Sequence, residues 1–248
     1  MRKQVLIVLV CSVVLLCSHT SNAYMFNDPV PDRIGSWEFE LYGMDVFRSG
    51  HNLTFDIYSN YPESGYTVGA WHTVPGDFAI DIDSDGVYEY GLAFRNHAAH
   101  DNPLVNKGDF FAVDTSLNQG SNIIDGVEYG HIVNGWYITN HYKPVGGRYG
   151  YNKNKEVGIA GGTYLKNISV VWDDISTDRP DYRISFTLDY TDFLPSGDTD
   201  FDFFVGSATC ANDYMGGYVD VVPEPASMFL FGLGVVGFGI TRKKGRKV

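Results

Sequence analysis

Residues 81–89 read Asp-Ile-Asp-Ser-Asp-Gly-Val-Tyr-Glu. Carboxylates at three alternate positions followed by glycine form the opening of a calcium loop: the acids converge, and Gly86 permits the sharp turn. Oxygen ligands crowded on a short turn suit a hard divalent cation, so calcium is the cofactor this pattern implies. Asp81, Asp83 and Asp85 would hold it, with a further ligand from Glu89 or a distant residue. The twelfth position, where an EF-hand places its bidentate Glu, is Leu92, and no helical period flanks the loop. The expectation is a cation-clamped hairpin between two strands, and the competing reading is a solvated Asp-Gly turn.

Other constellations carry less. Asp198-Thr199-Asp200-Phe201-Asp202 reads as the polar face of a strand, with a second cation site as the alternative. His97-Ala98-Ala99-His100-Asp101 offers two imidazoles and a carboxylate to zinc, but no third His stands near, so surface histidines are expected. The stretch 141–155 is basic and rich in tyrosine; Tyr149 and Tyr151, with Trp136, are candidates to stack on the sugar rings of an extracellular polysaccharide. A plain exposed hairpin loop is the alternative there. No G-x-S-x-G, H-E-x-x-H or Cys/His nucleophile motif occurs, so a non-enzymatic protein is expected.

The elements that must position these residues read as strands. Trp37-Glu38-Phe39-Glu40-Leu41-Tyr42 and Leu53-Thr54-Phe55-Asp56-Ile57-Tyr58 alternate apolar and polar, the period of a half-buried strand. Similar runs occur at 66–71, 78–82, 87–94, 132–140, 165–172 and 182–188, with Gly, Asn, Asp, Pro and Ser between them. Many short strands with frequent turns predict an all-β body, a sandwich or jelly roll. Only Pro195-Ser196-Gly197-Asp198 and the prolines at 223 and 225 look like boundaries.

Both ends differ from the body. Arg2 and Lys3 precede an apolar run at 5–16, and Ser21-Asn22-Ala23 places small residues before a cleavage point. This is the layout of a signal peptide over residues 1–23. Cys11 and Cys17 fall within it, leaving Cys210 alone in the body, so no disulfide is expected there. The whole chain carries −12, and seven of its 18 Lys+Arg sit in the two terminal segments, so the body is more acidic still. That balance argues against nucleic acid and anionic lipid as partners.

At the C-terminus, Val222-Pro223-Glu224-Pro225-Ala226-Ser227 leads into an apolar run punctuated by Gly232, Gly234, Gly237 and Gly239, then Arg242-Lys243-Lys244. A helix over 226–241 would be about 24 Å long, short for a hydrocarbon core of about 30 Å. Snorkelling by Arg242 and Lys243, or local thinning of the bilayer, would close the gap. Signature, helix and basic stop in this order resemble the PEP-CTERM sorting signal of Gram-negative bacteria. The resemblance implies recognition of Pro223, Glu224, Pro225 and the Arg242, Lys243, Lys244 stop by the membrane enzyme exosortase. It further implies transient anchoring in the inner membrane and delivery to the cell surface or extracellular matrix. The segment Ala208-Thr209-Cys210-Ala211-Asn212-Asp213 resembles a Cys-Gly-Asn-Asp element of the same proteins, with Ala211 in place of the glycine. The expected organisation is a signal peptide over 1–23, a β-sandwich over 24–221 and the sorting signal over 222–248. The expected role is structural or adhesive; a carbohydrate-binding module is the alternative, and a secreted hydrolase the third.

Overall fold

The computed structural model describes residues 23–28, 37–68, 71–99, 104–124, 127–138, 156–175, 179–207 and 213–221. The described residues are all-β, and every strand pair among them is antiparallel, one isolated bridge between Ser196 and Asp198 being parallel. Among the described residues the only helical turns are two short 3-10 segments, Trp37–Phe39 and Tyr190–Asp192.

Among the described residues three larger sheets build the body, beside two small two-stranded ones. A five-stranded sheet runs in the order Ala23–Asn27, Leu41–Ser49, Asn52–Ser59, Tyr182–Asp189, Val171–Asp174. A six-stranded sheet runs Gly162–Asn167, Asp109–Val113, Tyr90–Leu92, Phe78–Asp81, Asp200–Gly206, Tyr214–Asp220. A four-stranded sheet joins Gln119–Ile124, Val127–Val133, Trp136–Ile138 and Glu156–Ile159.

The strand Asn52–Ser59 shows how the first interface forms. Leu53, Phe55 and Ile57 alternate with polar residues and are buried, and Ile184, Phe186 and Leu188 line up beside them in register. This face meets Phe78, Ile80, Leu92, Phe110, Phe201 and Phe203 of the six-stranded sheet in one core. Phe78 sits at its centre, 5.1 Å from the Phe55 ring, 5.0 Å from Phe186 and stacked at 5.7 Å on Phe203. Aromatic pairs at such distances add to the hydrophobic gain of burial.

The expected sandwich accounts for two of the three layers. The six-stranded sheet is also covered on its other face, where Ala79, Ala93, Phe111, Val113 and Phe204 pack against Ile132, Trp136, Tyr137, Val157 and Ile159. A sheet covered on both faces loses alternation, and Phe78–Asp81 is indeed buried at all four positions. Close layer packing depends on Gly91: a Cβ there would stand 2.5 Å from the Trp136 ring and 2.8 Å from Ile159.

Several strand boundaries differ from those expected. The described part of the run 132–140, up to Ile138, is a hairpin: Asn134 and Gly135 take φ of 51° and 78°, and Val133 pairs with Trp136 across the turn. The run 165–172 crosses between sheets, with Gly162–Asn167 at the edge of the central sheet and Val171–Asp174 at the edge of the five-stranded one. Ile168 and Val170 stay buried through the crossing, so the apolar period continues while the partner changes. The run 66–71 is two short strands, Tyr66–Val68 and Trp71–Thr73. The stretch 195–198 is a turn, with the Asp198 N–H on Pro195 O at 3.1 Å, that feeds directly into a core strand; it is no domain boundary.

Candidate metal centre

The loop 82–89 joins two central strands. Phe78 pairs with Leu92, Ala79 with Gly91 and Ile80 with Tyr90, so the strands fix both ends of the loop. Leu92, at the twelfth position, is a fully buried core residue. Ser84 and Gly86 both adopt left-handed backbone, with φ of 58° and 86°, and reverse the chain.

Within this turn the carboxylates converge. Asp81 is buried, its Oδ1 accepting from the Asp83 N–H at 3.2 Å and its Oδ2 from the Gly86 N–H at 2.8 Å. Asp85 Oδ1 accepts from the Val87 N–H at 2.7 Å, and Glu89 Oε2 reaches back to the Ile82 N–H at 3.0 Å. One oxygen from each of Asp81, Asp83, Asp85 and Glu89 lies within 4.8 Å of the others. A calcium ion with ligands at about 2.3–2.6 Å holds opposite oxygens up to about 5 Å apart, so these four residues fit one ion. All four ligands expected from the sequence come together.

The local field is negative. Partial burial first, then the charges of Asp81 and Asp83, hold the Glu89 carboxyl above the ordinary glutamate range, against the pull of the Ile82 N–H. Burial also raises the Tyr88 phenol, helped by Glu156, Asp81 and Asp202. Asp202 stands opposite Asp81 in the neighbouring strand. Asp200 and Asp202 belong to the strand Asp200–Gly206, as the alternation of the acidic run implied.

Sequence reasoning missed a second carboxylate centre just upstream. Asp77 is 2% exposed. Its Oδ1 accepts from the Phe94 N–H at 3.1 Å; its Oδ2 accepts from the Ile159 N–H and from His97 Nε2, both at 2.9 Å. His97 is equally buried, which corrects its expected surface position. His100 and Asp101 lie outside the described residues. The one cue to Asp77 is a lone acid directly before an apolar strand.

Trp136 is also corrected. It is 1% exposed, its ring rests over Gly91, and its indole N–H donates to Tyr88 O at 2.7 Å. A ring enclosed in this way has no face to offer a sugar. Tyr149, Tyr151 and Cys210 lie outside the described residues.

The described residues end at Val221, which is buried; its N–H donates to Thr199 O at 2.5 Å and its carbonyl accepts from Arg48 Nη1. From this residue onward, 221–243 match the family model described as the PEP-CTERM protein-sorting motif. The chain carries a PEP-CTERM sorting motif. Such a motif targets its protein through exosortase and across the membrane to the cell surface of Gram-negative bacteria. The match covers Pro223, Glu224, Pro225, Arg242 and Lys243; Lys244 follows directly. These residues, the expected membrane helix at 226–241 and the signal peptide at 1–23 lie outside the described residues, apart from Ala23 at the head of a strand. Among the described residues no helix is long and apolar enough to cross a membrane. No curated protein and no solved structure matches the chain.

Proposed function

We propose that this protein is a non-enzymatic structural component of the cell surface or extracellular matrix, whose β-sandwich body, extended by a third sheet, is stabilised by calcium. The observation that carries the reading is the convergence of the Asp81, Asp83, Asp85 and Glu89 oxygens within 4.8 Å. Four carboxylates gathered at one turn repel one another, and a divalent cation relieves that repulsion. Calcium tolerates irregular oxygen geometry, whereas magnesium demands a near-octahedral set. Extracellular modules bind calcium at about 0.1–1 mM, a level that the outside of a cell reaches.

Calorimetric titration of the full-length protein in detergent tests this. One calcium per chain in that range is expected, with little magnesium binding, and Glu89→Gln should weaken binding. Absence of heat from calcium at millimolar concentration would return the loop to an ordinary turn. The sorting half has its own test. Replacing Pro223 and Pro225 with Ala leaves the apolar run intact, so the double variant should accumulate in the inner membrane. Normal surface delivery of that variant would refute recognition of the Pro-Glu-Pro strip.

A further inference from the structure

The five-stranded sheet ends on one side at the strand Ala23–Asn27, which among the described residues pairs only with Leu41–Ser49. An open strand edge is a template for a further chain, and proteins blunt such edges with charged side chains, prolines or bulges. Five of the six described edge strands of the three larger sheets carry such a device. Val171–Asp174 has Asp173 and Asp174, Gly162–Asn167 has Lys166, Tyr214–Asp220 has Asp220, and Glu156–Ile159 has Glu156. Gln119–Ile124 is broken by register shifts on either side of Asn122. Ala23–Asn27 has no charge, no proline and no break in register.

The open side of this strand is well defined. The Asp28 N–H donates to Tyr42 O at 3.3 Å, towards Leu41–Ser49. Alternate residues of an antiparallel strand turn their backbone groups to opposite sides, so Tyr24 and Phe26 bond inwards while Met25 and Asn27 turn their N–H and C=O groups outwards. The inner side chains pin the strand. The Tyr24 hydroxyl donates to Asp220 O, and the Phe26 ring stands edge-on to Phe203 at 4.9 Å, over Gly217, where a Cβ would lie 2.6 Å from it. The outer side chains are open: Met25, 72% exposed, is the most exposed large apolar side chain among the described residues, and the exposed Phe47 of the next strand lies on the same face.

We propose that Ala23–Asn27 is a self-association edge: it pairs antiparallel with the same strand of a second copy, Met25 of each copy facing Asn27 of the other, and joins two five-stranded sheets into one. Copies of a chain that carries −12 repel one another, and an uncharged strand is where they meet without opposing like charges. A twofold axis through the pair brings the two strips of Met25 and Phe47 together on one face, and a closed twofold is the commonest arrangement of identical chains. Tyr24 follows the expected signal-peptide cleavage point, so cleavage leaves both outward residues in the strand. Two short strands make a contact at or below the about 1,200 Å² at which stable interfaces begin. Pairing is therefore weak in dilute solution and takes hold where chains are held close together on a surface. It does not depend on calcium binding, so the failure of either reading leaves the other standing.

Sedimentation of the exported protein, purified in detergent, over micromolar to millimolar concentrations tests this. A reversible monomer–dimer equilibrium is expected, with hydrogen exchange at the Met25 and Asn27 amides slowing as the dimer forms. Met25→Lys puts a charge on the edge without touching the core and should weaken the dimer by about tenfold or more. Asn27→Pro, which removes an outward N–H, should weaken it as well. Val171→Lys, at the opposite edge of the same sheet, should leave it unchanged. A protein that stays monomeric throughout overturns the proposal. So does a dimer that Met25→Lys does not weaken, or one that Val171→Lys weakens equally; either would place the association elsewhere, as on the apolar C-terminal run.

Discussion

Asp77 and the carboxylates at 81, 83, 85 and 89 lie on one short stretch of chain but do different work. Asp77 is surrounded by donors that come from far away in sequence, and its charge is met by the protein itself. The loop carboxylates are met by N–H groups of their own turn, and Asp83 has no donor to its side chain among the described residues. A carboxylate encircled by protein donors ties layers together. Carboxylates that face one another leave their shared charge for something else to neutralise. The number and origin of donors, and not the acidic residue, separates a structural clamp from a cation site.

The largest effect expected on this contrast is at the clamp. Asp77→Ala removes the acceptor shared by the Phe94 and Ile159 N–H groups and by His97 Nε2, and each buried donor left unsatisfied costs about 1–3 kcal/mol. Urea unfolding should show that loss; a change below about 1 kcal/mol would place Asp77 outside the framework. The same layer interface can be strained from the other side. Gly91→Ala drives a methyl group into the Trp136 ring and Ile159, and overpacking of this kind costs about 1–3 kcal/mol. A stable Gly91→Ala protein with unchanged tryptophan fluorescence would mean that the Trp136 ring does not press on Gly91.

The loop should respond to the medium where the clamp does not. At tenfold excess over its dissociation constant, an ion bound only by the folded state contributes about 1.4 kcal/mol. In a body of this size that raises the melting temperature by about 3–5 °C. Melting in calcium against chelator reads this out, and Asp83→Ala should abolish the difference while Asp77 variants retain it. A calcium effect that survives Asp83→Ala would move the site elsewhere. The smallest effect concerns a neighbouring acid. The Asp200 carboxylate accepts from the Tyr218 hydroxyl, and that bond, first among the causes, pushes the exposed phenol up to about 12. Asp200→Asn should bring the phenol down towards its ordinary value, as followed by tyrosine ring carbon shifts in NMR; an unchanged titration would show that the bond does not form in solution.

The convergence of the loop carboxylates was legible because the four acids lie within nine consecutive residues and their spacing alone brings them together. The clamp was not, because Phe94, His97 and Ile159 reach Asp77 only through tertiary structure. The same division runs through the fold. Asn52–Ser59 has one wet face and alternates cleanly, so its strand was readable. Phe78–Asp81 is covered on both faces, and its run of buried residues cannot show which sheet lies on which side. The third layer stayed hidden for that reason. The break at Asn134-Gly135 was available in the sequence, as a strong hairpin signal inside a run that otherwise reads as one strand.

The pairing at the heart of the central sheet also bears on when the body is able to form. Phe78–Asp81 hydrogen-bonds to Tyr90–Leu92 on one side and to Asp200–Gly206 on the other. The first partner follows within a short hairpin; the second arrives only after almost all of the body has emerged. A chain that emerges from its N-terminus therefore carries the Phe78 strand half-paired until the last strands of the sheet appear. Closure of such distant pairs is slow, because the loop entropy is lost before the contacts form. The hairpin that joins Phe78–Asp81 to Tyr90–Leu92 is thus available early in the chain and the strand that seals its other edge comes last, so the central sheet closes only once Asp200–Gly206 is in place.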